Sequence, residues 1–465
     1  MTEQTEQTEQ TELAGQSELT EQALLAGLTE RTLLAGQVGQ VARPAPAALA
    51  ALAAPAEADR PLDLLHSETE EELRAAVRAL LADKAGHRVV LDRTEAEHPY
   101  VPGLWKALAT DIGAAGLLVP ERLGGQGASH REAAVVLEEL GRAVTPLPYL
   151  TSAVIATETL LALVEDSESD ENDEARENAE AHEDGEDRVT GVTRVTAETA
   201  EARESGGNPA HAGGTAAVVA LLADLAAGHT VAVLAVPLGT APDREPVPAP
   251  SVAGVADAIA ADVFLVPRAD GLYAVPAGEA RIEPCSSLDL TRPLAVVTPG
   301  DGGTRLAGPG AARAAVRRGL LAGAGLLASE QLGLAEWCLE ETVRYTRERH
   351  QFNRPVGSFQ ALKHRMARLW LDLVGARAAA RAAADALATG NPDAPLLVAV
   401  AQAYCAKTAV RAAEECVQLH GGIGMTWEHP AHLALKRAKS AGIALGSTGR
   451  HQDTVAALTG LEPPR

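Results

Sequence analysis

The chain of 465 residues reads as an α+β protein in three parts: a helical N-terminal domain, a small middle β domain and a C-terminal four-helix bundle. Three observations predict this. Stretches near both ends repeat apolar residues every three to four positions, the period of an amphipathic helix. Between them lie short β-rich runs, HTVAVLAVPL, ADVFLVPRADGLYAVPA and PLAVVTP, separated by Gly, Pro and Asp. The hydrophobic share is 46%, enough for a large core and more than one domain.

Residues 1–60 open with a TEQ repeat and continue into PAPAALAALAAPAEA, a low-complexity composition expected to form a disordered tail. The N-terminal helical domain is placed at 61–164. EEELRAAVRALLADKA begins it, and REAAVVLEELGRAVTPLP supplies a second helix stopped by Pro146 and Pro148, with the turn-rich link GLLVPERLGGQG between. The acidic stretch within 165–213 cannot pack a core and is expected to be a disordered, solvated insertion. The β domain is placed at 214–308. From 309 to 465 helices are expected over about 311–344, 358–388 and 396–420, joined by short connections as in an antiparallel bundle.

The formal charge of −23 is concentrated. Residues 1–30 hold seven acidic groups and no Lys or Arg, and 165–187 hold thirteen against one Arg, together −19. The remainder is near −4, an ordinary balance that says little about the folded part and weighs only slightly against a nucleic-acid partner, and none is expected. No basic n-region or uninterrupted run of eighteen apolar residues is found, so neither a signal peptide nor a membrane span is expected. The four cysteines, Cys285, Cys338, Cys405 and Cys416, lack CxxC spacing, which fits a reduced cytoplasmic protein; no metal site is expected.

Two motifs stand out. In QLHGGIGMTWEHPAHLALKRAKS a helix pattern ends on Gly421 and Gly422, with Gly424 two positions on. One glycine suffices for a left-handed cap, whereas a bare pair also lets a diphosphate approach main-chain amides. The second, YTRERHQFNRPVGSFQALKHRMARLW, carries five arginines between Arg347 and Arg368 and two of the three phenylalanines. It reads either as a solvated basic face or as charge and ring surface for a dinucleotide. Glu428 and His429 form a conceivable acid–base pair, though an acidic residue there also suits a helix start. His420 reads as a packing or phosphate-side residue, and Trp337, Trp370 and Trp427 as core.

Together with GLLVPERLGGQGASHREAAVVLEELGRA, these two motifs resemble the acyl-CoA dehydrogenase family over roughly 61–460, and the helical–β–helical order agrees with that family's fold. The resemblance implies FAD bound across a subunit interface. It implies that Arg349, Phe352 and Gln360 reach the flavin dinucleotide of a neighbouring subunit, and that Gln418, Gly421 and Gly422 meet its pyrophosphate and adenosine side. It also implies an acyl-CoA substrate of fatty acid or steroid side-chain metabolism, a homo- or hetero-oligomer with an acyl-CoA dehydrogenase homologue, and electron-transfer flavoprotein as redox partner.

The implied reaction is α,β-dehydrogenation of a thioester: a carboxylate takes the α-proton while the β-hydrogen leaves as hydride to the flavin. At the two places where the family puts that carboxylate, this chain carries Leu445 and Gly323, and Ala324 stands where a CoA-contacting arginine is common. The family's Thr-Glu-Pro-Gly-type and Trp-containing stretches of the β domain are replaced by AVLAVPLGTAP and SVAGVADAIAADVFLVP. Two functions are therefore expected as alternatives: an active dehydrogenase with a base from an unmatched residue, Glu428 being the candidate, or a non-catalytic subunit completing a homologue's FAD site, as in heteromeric actinobacterial members. Because the acidic stretch lacks apolar residues to bury, deleting residues 165–205 is expected to leave the thermal midpoint nearly unchanged in a calorimetric scan.

Overall fold

The computed structural model describes residues 61–96, 98–165 and 209–461. The expected tail at 1–60 and all but the two ends of the expected insertion lie outside the described residues.

Two helices of the N-terminal domain begin on reciprocal caps. Ser67 caps α1 (Glu68–Lys84) with Glu70 reaching back, and Ser129 does the same with Glu132 for α3 (His130–Ala143), after the short α2 (His87–Thr94). The predicted link between them is turn-rich, with single 3₁₀ turns at Ala114–Gly116 and Glu121–Leu123. A buried helical stretch of wide π-type turns, Tyr149–Ala156, continues helically through residue 165.

The middle domain opens with α4 (Pro209–Ala226), a correction to the expected β boundary, since residues 214–226 are helical. The reason lies in TAAVVALLADLAA, whose alanines and leucines favour helix and whose apolar side joins the main core through Val218, Leu222 and Leu225. Strands β1 (Ala232–Leu234), β3 (Val263–Arg268), β4 (Gly271–Pro276) and β7 (Thr304–Ala307) form one sheet in the order β1-β3-β4-β7, with β1 parallel to β3. A second, antiparallel sheet runs β2-β6-β5, from Val252–Ala256, Leu294–Thr298 and Arg281–Cys285. Val233, Val255, Phe264, Val275, Ala295 and Val297 make a separate core here, distinct from the larger one under the helices.

The bundle is built on α5 (Pro309–Glu348), 40 residues and about 60 Å long. A hairpin of β8 (His350–Gln351) and β9 (Arg354–Pro355) turns the chain into α6 (Gln360–Ala388), which is followed by α7 (Ala394–His420). The expected fourth helix is two short ones, α8 (Ala431–Ala441) and α9 (Thr448–Leu458). They are separated because Leu445 and Gly446 take left-handed conformations, at φ 55° and 110°, that a helix cannot continue through. Among the described residues no helix is long and apolar enough to cross a membrane.

The tryptophans expected in the core divide. Trp337 is partly buried and stacks on His87 with centroids 4.4 Å apart. Trp370 and Trp427 are corrections, being 61% and 47% exposed. Trp370 lies in the first half of α6, where few positions are buried, and Trp427 sits in the turn before α8, held by a 2.6 Å hydrogen bond from its indole Nε1 to Glu95 and by stacking on His432.

The three parts meet at a buried ionic cluster. Glu330 of α5 accepts from Arg437 of α8 at 2.8 Å and from Arg292, just before β6, at 2.6 Å. Arg437 also reaches the Thr291 carbonyl at 3.2 Å and Asp289 at 3.4 Å. Burial favours the protonated form of Glu330, but the two guanidinium groups outweigh it and hold the carboxyl below its usual range. Nearby, Asp257 accepts from Tyr100 and Thr151 of the N-terminal domain, each at 2.9 Å. Arg437→Met leaves Glu330 and Asp289 short of a buried countercharge and is expected to cost about 3–5 kcal/mol in denaturant unfolding.

Candidate functional site

The helices of the bundle alternate in direction, so the C-terminal end of α5, the hairpin, the start of α6 and the end of α7 share one end of it. Tyr345 of α5 stacks on His420 of α7 at 4.4 Å, and Arg365 of α6 donates to Glu415 of α7 at 2.7 Å. This brings together the six residues singled out as dinucleotide contacts, and all six are exposed.

The hairpin presents them by its own turn chemistry. Only Phe352 and Asn353 separate its strands, and both are left-handed, at φ 51° and 59°, as in a two-residue primed turn. A phenylalanine in that conformation is costly, and this one is 86% exposed, touching Phe359 edge-on at 6.1 Å. Arg354 lies over the Phe359 ring at 3.9 Å, while Arg349 and Gln360 remain at the surface. No side chain caps the first amides of α6, which open beside this basic turn.

The three glycines have different reasons. Gly421 ends α7 at φ 63°, ψ −139°, a conformation that disfavours any side chain. A Cβ on Gly424 would stand 2.6 Å from the Val417 carbonyl, so packing requires that glycine. Around Gly422 a Cβ would meet no protein atom within 4 Å. Its bare backbone is open to solvent, which suits the close approach of a ligand phosphate to main-chain amides.

Gly323 and Leu445, the two positions at which the resemblance leads one to expect a catalytic carboxylate, also come together, elsewhere. A Cβ on Gly323 would lie 3.2 Å from Leu445 Cδ1 and 2.5 Å from Ile155. Leu445 is buried and tied to the loop after β1 by its amide, which donates to the Leu238 carbonyl at 2.7 Å. Thr151, Ile155, Leu234, Leu320 and Leu445 close round a cavity of only about 20 Å³, room for about one water. Ala324 is buried, and its carbonyl accepts from Gln402. From Gly323 to Glu348 runs 25 residues of α5, about 38 Å, so this pocket and the exposed end are far apart.

Beside the pocket an open cleft of about 660 Å³ runs between the β domain and the α8–α9 loop. Thr240, Arg244, Ser251 and Val252 line one side, and Ile443, Gly446, Ser447 and Arg450 the other. Its walls thus include the two β-domain stretches and the Leu445–Ser447 loop noted in the sequence.

Glu428 lies outside both places. Its carboxylate is fully exposed and held below its usual range by its own amide and by the Thr426 hydroxyl, the reverse of a dry, basic carboxylate. Helix α8, of 11 residues or about 16 Å, stands between it and the Leu445 loop. What sequence reasoning missed is Ile155, whose role in filling the pocket follows from packing and has no local signal, and Glu341, which faces His420 and His429.

A helical domain, a two-sheet β domain and a helical bundle follow one another along the chain, with a small apolar pocket where they meet. The family model for the acyl-CoA dehydrogenase N-terminal domain matches residues 67–166, and that for the C-terminal domain matches residues 313–459. Acyl-CoA dehydrogenase IpdE2 of Mycolicibacterium smegmatis is 32% identical over 380 residues, 82% of this chain and 95% of that protein. Acyl-CoA dehydrogenase FadE27 of Mycobacterium tuberculosis is 32% identical over 78% of this chain and 89% of that protein. The solved ChsE4–ChsE5 complex from Mycobacterium tuberculosis superposes with TM-score 0.66 at 24% identity, covering 87% of this chain and all of its counterpart. The chain belongs to the acyl-CoA dehydrogenase family, whose reaction class is flavin-dependent oxidation of acyl-CoA thioesters.

Gly422→Ala and Gly424→Ala separate the two uses of the glycines. Gly424→Ala is expected to lower the thermal midpoint by several degrees, whereas Gly422→Ala is expected to keep it and to lower flavin retention in the purified assembly.

Proposed function

We propose that this chain takes part in FAD-dependent α,β-dehydrogenation of an acyl-CoA thioester within an oligomer of acyl-CoA dehydrogenase chains. The observation that carries this reading is the exposed constellation of Arg349, Phe352, Gln360, Gln418, Gly421 and Gly422 at one end of the bundle. It offers charge, an aromatic face and open main chain, the needs of a dinucleotide, and it lies too far from this chain's own pocket to serve the same ring system. It therefore suits the FAD of a neighbouring subunit. Bound FAD supplies the hydride acceptor. Arg349 would hold a phosphate oxygen, Phe352 would cover a ring, and the exposed main chain at Gly421 and Gly422, bare of side chains, would let the diphosphate lie close.

A second reading, that the chain is the non-catalytic member of a heteromeric pair, is favoured by one specific observation. Leu445, Gly323 and Ile155 pack together where a base and an acyl chain would have to meet. Abstraction of an α-proton needs a positioned carboxylate, whose loss costs on the order of 10²–10⁴ in rate. The pocket holds neither a carboxylate nor the room for a thioester.

The experiment is turnover of acyl-CoA substrates with an artificial electron acceptor, by the purified chain alone and after addition of a glutamate-bearing homologue. Activity only in the mixture, with flavin content lowered by Arg349→Ala, is expected on both readings taken together. Robust turnover by the chain alone, abolished by Glu428→Gln, would remove the non-catalytic reading and make Glu428 the base. Unchanged flavin occupancy in the Arg349→Ala assembly would take that residue out of the site.

A further inference from the structure

We propose that Glu341, His420 and His429 form a binding site for a divalent transition-metal cation of the zinc type, beneath the glycine turn at the end of the bundle. Their ligand atoms all lie within 4.8 Å of one another, although the residues come from α5, the end of α7 and the turn before α8. Glu341 Oε1 is 3.8 Å from His420 Nε2 and 3.6 Å from His429 Nε2. Neither separation is a hydrogen bond. About 2 Å from a central zinc, tetrahedral ligand atoms stand roughly 3.3 Å apart, so the two edges to Glu341 would close by about half an ångström and the edge between the histidines, which lies within 4.8 Å, by up to about 1.5 Å.

The second observation is the state of His420. Its Nδ1 donates to the Cys416 carbonyl at 2.6 Å, which fixes the ring and turns Nε2 towards Glu341. The side chain is fully buried, and Nε2 meets no hydrogen-bond partner in the protein. An imidazole with one nitrogen bonded to a backbone carbonyl and the other aimed at a carboxylate and a second imidazole is the arrangement that metal-ligating histidines adopt. Arg344 holds the carboxylate in a two-point ion pair, its Nε donating to Oε2 at 2.8 Å and its Nη2 to Oε1, so a cation would share Oε1 with that guanidinium or displace it.

His429 is the ligand that must adjust. Its Nδ1 accepts from the Ala431 amide at 3.2 Å, which leaves the proton of the neutral ring on Nε2. Coordination through Nε2 moves that proton to Nδ1 and gives up the Ala431 hydrogen bond. The Glu341 and His429 side chains keep 15% and 12% of their surface exposed, so the cluster is reached from solvent on their side. Two imidazoles and one carboxylate suit zinc or a similar ion, whereas calcium and magnesium prefer all-oxygen sets. Occupied, the site would tie α5, α7 and the turn before α8 together directly under Gly421 and Gly422.

The test uses the full-length protein, stripped with a chelator and then equilibrated with Zn²⁺ or Co²⁺. Expected are about one tightly held Zn²⁺ per chain by elemental analysis, visible d–d bands of low-symmetry Co²⁺, and a zinc-dependent rise in thermal midpoint. The half-buried substitutions Glu341→Gln and His429→Asn, checked for native circular dichroism, are expected to weaken Zn²⁺ binding by about 100-fold each and to abolish the thermal shift. Zinc binding by the wild-type chain no tighter than by the Glu341→Gln/His429→Asn double variant would overturn the proposal. So would tight binding that both single variants retain, since the ion would then lie elsewhere.

Discussion

The buried contact of Glu330 with Arg437 and Arg292 is the constraint on which the arrangement of this protein rests. It joins the middle of the longest helix to a short C-terminal helix and to the strand-bearing domain, with all three side chains removed from water. Two guanidinium groups on one carboxylate leave an excess of positive charge, which Asp289 answers through Arg437. An ion cluster of this kind adds little net stability over a well-packed apolar one, but it is intolerant of any other registration of the parts. It thereby sets where the loop after β1 meets the Leu445 segment, and so sets the cleft between them.

Within that frame the chain has two functional regions with opposite character. One is closed: Leu445 and Ile155 pack against the bare face of Gly323, and Leu445 sits in a left-handed conformation, held there by the Leu238 and His451 contacts. The other is open: an arginine-rich hairpin with an outward phenylalanine and a glycine turn in which a Cβ on Gly421 or Gly422 would meet no protein atom within 4 Å. The two regions thus differ in access and in polarity, one packed with aliphatic side chains and the other exposed and basic. The long helix α5 supplies the separation that makes the two regions independent.

The clustering of His420, His429 and Glu341 just inside the glycine turn adds a third element. Tyr345 and His429 flank the His420 ring at 4.4 Å each, so the side chain cannot swing out without disturbing the end of α5. Burial opposes a charge on His420, yet the Cys416 and Glu341 contacts raise its affinity for a proton above that of an ordinary histidine. Whatever cation the group holds, proton or metal, it lies against the turn that presents Gly421 and Gly422.

By itself the sequence determined the order of helical, β and helical parts, because apolar periodicity and turn residues are local. α6 and α7 end within two residues of the boundaries expected from pattern alone, and the long helix α5 within four. It also determined which residues form the arginine hairpin and the glycine turn, since each motif is contiguous. What the tertiary structure decided is everything that depends on chain segments distant in sequence. The alanines and leucines of TAAVVALLADLAA favour a helix, but nothing local says that this helix docks on the main core, and nothing in Trp370 says that it faces outward. That Leu445 lies against Gly323 and Ile155, that one end of the bundle gathers the exposed residues of the arginine and glycine motifs, and that Glu341 meets two histidines are all consequences of packing. Side-chain proximity between distant segments is fixed only when the buried cores and the Glu330 cluster choose one registration of the helices.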